Sequence, residues 1–317
     1  MATKKTSKKA TPKAPVKKPA AAKTTIKTTS VQHVTTESTK TSTSHSALGS
    51  SLPNNLINIV LAETIGTFIL TLVALFSASI FAPFYVGLTL VLIVMAIGNI
   101  SGSHINPAVT FGLWSMRKLK TALVPFYWGA QFLGAMAAVV LIGNITNGGF
   151  SIHFDQFMNF SWGIFAVELI GTAVFMFGLA AVLSRTDFKP GEKAAGIGIS
   201  LAIGLVASSA LIGYVQSTAF TKHSKDQGSS TKNIESNDPY KNYPRELHIG
   251  GATLNPAVAL AVTEKTDTQL QNNGPMTAEG EKSYSRLSLE VIFATLIGAA
   301  LGGNLFLLIN YRNKLES

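Results

Sequence analysis

The tetrapeptide Asn-Pro-Ala-Val occurs twice, at 106–109 and 255–258, each time after a glycine-containing turn and each time leading into an apolar run of only about ten residues. A bilayer core of roughly 30 Å needs about 20 apolar residues in a helix, and the first run is interrupted by Arg117 and Lys118 long before that. Such a run can enter a membrane and return, but it cannot cross. Asn is a preferred helix N-cap, and Pro is tolerated at the first helical position, where its missing N–H would have had no partner. Asn106, Pro107 and Ala108, and likewise Asn255, Pro256 and Ala257, therefore predict two helix N-termini. A single copy in a soluble protein would be an ordinary turn; two copies embedded in strongly apolar sequence predict a pair of re-entrant half-helices.

The surrounding sequence supplies the membrane setting. Hydrophobic residues make up 47% of the 317 and charged ones only 13%, and the mean hydropathy is +0.31, well outside the range of a soluble domain. Six spans are expected: Leu56 to Ile80, Phe84 to Asn99, Ala122 to Ile142, Trp162 to Ser184, Ala194 to Val215 and Leu287 to Ile309. Arg117, Lys118 and Lys120, then Arg185, Lys189 and Lys193, then Arg312 and Lys314 fall on one side of a six-span topology, whereas 143–161 has no Lys or Arg. The positive-inside rule makes the first side, with both termini, cytoplasmic. With no Cys, thiolate metal sites, disulfides and thiol nucleophiles are excluded, and neither metal nor cofactor is expected.

Residues 1–50 contain ten Lys and one Glu, which is +9 of the net +10. This Lys/Ala/Pro/Thr-rich stretch lacks the apolar residues to offset ordering entropy and reads as a disordered cytoplasmic tail. No apolar h-region follows the Lys cluster, so it is not read as a signal peptide. Anionic lipid is a conceivable partner, at about 1 kcal/mol per Lys near the surface; nucleic acid is not expected. The polar stretches 216–249 and 264–286 show too little pattern for an assignment; the first reads as a long extracellular insertion.

Residues 51–317 divide into two similar units, about 56–143 and 162–310. Ala62-Glu63-Thr64-Ile65-Gly66-Thr67 is matched by Val167-Glu168-Leu169-Ile170-Gly171-Thr172, and Gln131-Phe132-Leu133-Gly134-Ala135 more weakly by Thr295-Leu296-Ile297-Gly298-Ala299. Three spans and one half-helix form each unit. Three being odd, the second unit enters from the opposite side, which predicts an inverted repeat with the two half-helix N-termini meeting near the midplane. Small residues four apart, Gly98 with Gly102 and Gly298 with Gly302, are expected to let helices approach closely. Irregular backbone at such depth is tolerated only inside protein or along a water-filled cavity, so two facing ends imply a pore. Their partial positive charges oppose cations, while the Asn106 and Asn255 amides can donate to a neutral polar molecule.

With Ser101 to Thr110, Gly251 to Val258 and the Glu63 and Glu168 motifs, the sequence resembles the aquaporins and glycerol facilitators, the major intrinsic protein family, over residues 56 to 310. The resemblance implies an all-α membrane fold of six transmembrane helices and two half-helices, a homotetramer with one pore per subunit, passage of water or small neutral solutes, and no catalysis. It also implies that Glu63 and Glu168 accept hydrogen bonds from the re-entrant loops. From the residues alone an intramembrane carboxylate is a proton-relay candidate, but a relay wants further ionisable partners and the spans offer none at matching depth, which favours the structural role. His104 reads as a loop-packing residue and not a metal ligand. By spacing from the motifs, the family's selectivity filter falls at Val86, Leu211, Ala252 and Val258, where Val258 stands at the usual filter arginine. All four are apolar. Val258 is followed by Ala259 in place of the Asp typical of glycerol facilitators, so water, ammonia and other small neutral solutes stay open. Two other classes are a secondary transporter, also built from inverted repeats and broken helices, and a structural membrane protein whose apolar constriction is closed. Asn144-Ile145-Thr146 and Asn159-Phe160-Ser161 are glycosylation sequons on the expected outer side.

Overall fold

The computed structural model describes residues 52–76, 81–145, 152–228, 243–272 and 282–316. The chain divides into two units, residues 1–46 and 47–317, and all the described residues belong to the second. The tail and Thr146 of the first sequon lie outside them.

Nine α-helices are formed among the described residues: α1 Leu56–Phe76, α2 Ala82–Ser101, α3 Pro107–Ser115, α4 Val124–Ile145, α5 Trp162–Ser184, α6 Pro190–Gly228, α7 Pro256–Ala261, α8 Asp267–Asn272 and α9 Leu289–Glu316. Six are long and apolar enough to cross a membrane. Their outward faces carry Leu61, Leu88, Leu92, Leu133, Trp162 and Leu305, each more than half exposed, a surface that requires a lipid solvent. Local sequence sets the ends. Ser161 caps α5 by accepting from Ile164 N at 3.3 Å, and Glu192 reaches back to Lys189 N at 2.8 Å to start α6. The expected span Trp162 to Ser184 coincides with α5.

Expected boundaries differ most at α9, which runs to Glu316 where Ile309 is expected, and at α6 and α7. α6 does not stop at Val215 but continues to Gly228, about 58 Å in all. Residues 216–228 lack an apolar pattern but are helix-compatible, and beyond a membrane their backbone and side chains can be solvated while the helix propagates from the span. The stretch 216–249 is thus helical at its start and has a short 3-10 turn, Arg245–His248, near its end; 229–242 lie outside the described residues. The second half-helix, α7, has six residues where about ten are expected. It ends at Val262, which takes extended backbone (ψ 136°) and leads into Thr263, bridged to Ser285.

α1 packs on α4 and α2, α5 on α9 and α6, and α2 on α6, while the half-helices cross between repeats, α3 onto α9 and α7 onto α4 and α1. Close approach relies on glycine at equivalent places. A Cβ at Gly134 of α4 would lie 3.0 Å from Phe68 N of α1, nearer still to the Thr64 oxygen, and one at Gly298 of α9 would lie 2.5 Å from Leu169 O of α5. Thr64 and Leu169 are the matching residues of the two Glu motifs, so the repeats share the contact as well as the sequence. Gly302 does abut α5, at Ala173. Gly98 and Gly102 do not serve helix packing: the nearest atom to a Cβ at Gly98 would be Val94 Cγ1 at 3.5 Å in its own helix, and Gly102 closes α2 in the left-handed region at φ 84°.

Candidate functional site

The site is assembled from two loops, 102–106 and 250–255, each tied to a carboxylate that is fully buried in the first helix of its repeat. Glu63 on α1 accepts His104 N–H at 2.9 Å on one oxygen and Ile105 N–H at 2.6 Å on the other. Gln131 of α4 donates its amide to the same carboxylate at 2.8 Å and to Thr110 Oγ1 at 3.0 Å. In the second repeat, Glu168 accepts Thr253 N–H at 3.0 Å, Thr253 Oγ1 at 3.2 Å and Leu254 N–H at 2.8 Å. These bonds hold backbone that would not form alone, since Ser103, Ile105 and Leu254 all have positive φ, at 50°, 40° and 52°. For a β-branched residue such as Ile105 this region is disfavoured. His104 is buried, stacks on Tyr127 with ring centroids 4.3 Å apart, and places Nδ1 3.2 Å from Thr110 Oγ1. Among the described residues no cluster of three or more His, Asp or Glu could hold a metal ion.

The loops bring the two motifs into contact. Asn106 caps α3, its side-chain oxygen accepting Ala108 N–H at 2.8 Å, and its amide nitrogen donates to Leu254 O at 2.8 Å. Asn255 caps α7 through Ala257 N–H at 3.0 Å and donates to Ile105 O at 3.0 Å. Residues 148 to 150 apart in sequence are thus bonded reciprocally, each Asn to the carbonyl just before the other's motif. Pro107 and Pro256 each occupy the first helical position, and Ala108 and Ala257 are fully buried.

Val258 is 5% exposed, in an apolar cluster against which Val86 and Ala252 pack. Leu211 packs on an adjoining cluster, of Ile164, Val167, Ile212, Ile249, Ala259 and Val291, which Ala252 also touches. Ala252 therefore joins both groups, and none of the four side chains offers a hydrogen-bond donor.

Spacing from the motifs does not reveal an ionic layer at the loop-rich end of the bundle. Arg245 donates to Glu264 at 2.7 Å and to Glu290 at 2.6 Å, and its Nη1 also contacts Asn159 O. Burial works against the charged guanidinium, but the two carboxylates outweigh it and hold Arg245 above its ordinary pKa. Arg286, with a side chain 2% exposed, places Nη2 3.2 Å from Glu168. Gln216 of α6 donates to Ile249 O at 2.8 Å and ties that helix to the second loop. The sequence signal for these residues is charge within or beside the polar stretches 216–249 and 264–286, and it does not say which charges meet.

Six membrane-crossing helices with two half-helices capped nose to nose define an integral, multi-pass membrane protein of the re-entrant-loop class. The sequence model described as major intrinsic protein matches residues 50–219, more than half of the chain, and the protein belongs to that family. It is similar to Aquaporin NIP2-3 of Zea mays, 32% identical over 155 residues that make up 45% of this chain and 51% of that one. It is also similar to Aquaporin Z of Rhodopseudomonas palustris, 33% identical over 171 residues, 46% of this chain and 70% of that one. Among solved structures, the aquaglyceroporin from Plasmodium falciparum aligns with 79% of this chain and 93% of its own at 18% identity and a TM-score of 0.46. The chain spans about half the length of several of the curated relatives it matches.

Proposed function

We propose that this protein is a passive transmembrane channel for water and other small neutral solutes. The observation that carries the reading is the reciprocal pair of bonds from Asn106 to Leu254 O and from Asn255 to Ile105 O. Each amide nitrogen has two hydrogens and spends one across the junction, so the second remains for a molecule passing in single file. Two helix N-termini at that point repel cations, and a solute accepting from both amides has its own hydrogens turned outward, which breaks a proton wire. Val86, Leu211, Ala252 and Val258 form the filter in this reading, an apolar ring that gives little help to polyols.

Glu63 and Glu168 are committed to loop N–H groups, which favours a structural role over a proton relay and a channel over an ion-coupled transporter. The orientation proposed puts both termini in the cytoplasm and the Arg245 layer outside, in the plasma membrane, with four subunits assembled and lipid around them. The Lys-rich tail would then face the anionic leaflet.

Stopped-flow light scattering on proteoliposomes tests the reading. The expected result is fast, non-saturating shrinkage with a low activation energy; shrinkage no faster than that of empty liposomes removes it and leaves a closed, structural protein. Val258→Arg is expected to lower the leak of solutes larger than water severalfold, because it puts a fixed cation with five donors into an apolar ring. An unchanged solute spectrum would place the filter elsewhere.

A further inference from the structure

Glu63 and Glu168 stand at matching places in the two repeats, yet their side-chain partners differ in charge. Glu63 takes the neutral amide of Gln131. Thr295, at the Gln131 position of the second repeat, turns back on its own helix and donates to Val291 O at 2.8 Å. The place is filled from outside the repeat by Arg286, whose Nη2 lies 3.2 Å from Glu168 Oε1. The same oxygen accepts Thr253 N–H, next to Ala252. Arg286 is fixed at its backbone too: its N–H donates 2.8 Å to the oxygen of Val262, one turn beyond Val258, and the neighbouring Ser285 hydroxyl donates to Leu260 O at 3.0 Å. The Arg286 side chain is 2% exposed, and its Nε and Nη1 are shut off from solvent with no hydrogen-bond partner in the protein.

Anchoring the loop carboxylate does not require a cation, as Gln131 demonstrates in the first repeat. A buried guanidinium is costly unless its charge is compensated and its donors are used. Here the charge is compensated by Glu168, while the donors on two of three nitrogens are left over. Without Arg286 the second repeat would hold an uncancelled carboxylate next to an apolar ring, which would attract cations to the pathway.

We propose that Arg286 is the specificity-determining cation of this pathway: it neutralises Glu168, whose carboxylate holds the loop next to Ala252, and so keeps cations from being drawn to the end where the filter side chains carry no charge. This rests on the channel reading above.

Wild type, Arg286→Gln, Arg286→Lys and the double variant V258R/R286Q, each reconstituted as the full chain, are compared by the ratio of potassium leak to water flux. Removal of the charge in R286Q is expected to raise the ratio on the order of tenfold; R286K holds it near wild type, and V258R/R286Q returns it there by supplying a cation at position 258. A folded R286Q with the wild-type ratio overturns the proposal, as does an R286K as leaky as R286Q. Should R286Q fail to fold, R286K decides: a ratio near wild type supports the proposal, and a raised ratio overturns it. A wild type that conducts no water removes the channel reading and this proposal with it; a conducting wild type with an equally selective R286Q removes this proposal alone.

Discussion

Glu168→Ala is expected to be far more damaging than Glu63→Ala, although the two residues occupy matching positions. Glu168→Ala strips the acceptor from Thr253 N–H and Leu254 N–H and leaves the Arg286 guanidinium buried without its counter-charge. Breaking a buried pair in this way costs about 3–5 kcal/mol, or roughly 6–10 °C in the unfolding temperature of the detergent-solubilised protein. Glu63→Ala orphans two neutral N–H groups, while Gln131 keeps its bond to Thr110, so about 2 kcal/mol less is lost. In E168A the variant R286M is expected to recover part of the loss, because it removes the stranded cation. Equal destabilisation by E63A and E168A would mean that the Arg286 pair contributes nothing to the stability of the solubilised fold.

The second large effect is at the helix crossings. Gly134→Val would drive its side chain into the α1 backbone at Thr64 and Phe68, which cannot move aside as a flexible side chain could. Overpacking of this kind costs about 2–4 kcal/mol and separates α1 from α4. Gly298→Val should act alike on α5 and α9, since it meets Leu169 O, Thr172 and Ala173. Gly129 supplies the internal control: it lies in the same helix as Gly134 with nothing within 4 Å of an added Cβ, so Gly129→Ala should stabilise by about 0.5–1 kcal/mol. Thermal unfolding of the three variants in one detergent reads the contrast, and a Gly134→Val as stable as Gly129→Ala would show that the two helices are not held at this distance.

The fourth span was legible to the residue, because its apolar run is bounded on both sides by polar sequence that starts and stops a helix locally. The half-helices were legible from Asn-Pro-Ala for the same reason: capping involves residues two or three apart. The end of α6 was not, since a helix leaving a membrane is limited by solvation and tertiary support, not by hydropathy. Nor was the early stop of α7, which depends on the pairing of Thr263 with Ser285. Gly98 and Gly102 show that small residues four apart do not specify an interface; the turn at Gly102 used one of them.

What the sequence by itself determined is the membrane class, the six spans, the internal repeat and the two capped half-helices, since hydropathy and capping act over one helix length. Only the tertiary structure decided that Asn106 reaches Leu254 and Asn255 reaches Ile105, that Arg245 joins Glu264 to Glu290, and that Arg286 takes the partner's place beside Glu168. Those pairs are 19 to 150 residues apart. Whether two buried polar groups meet depends on how helices pack across the bundle, and a one-dimensional pattern of apolar and charged residues does not encode that distance.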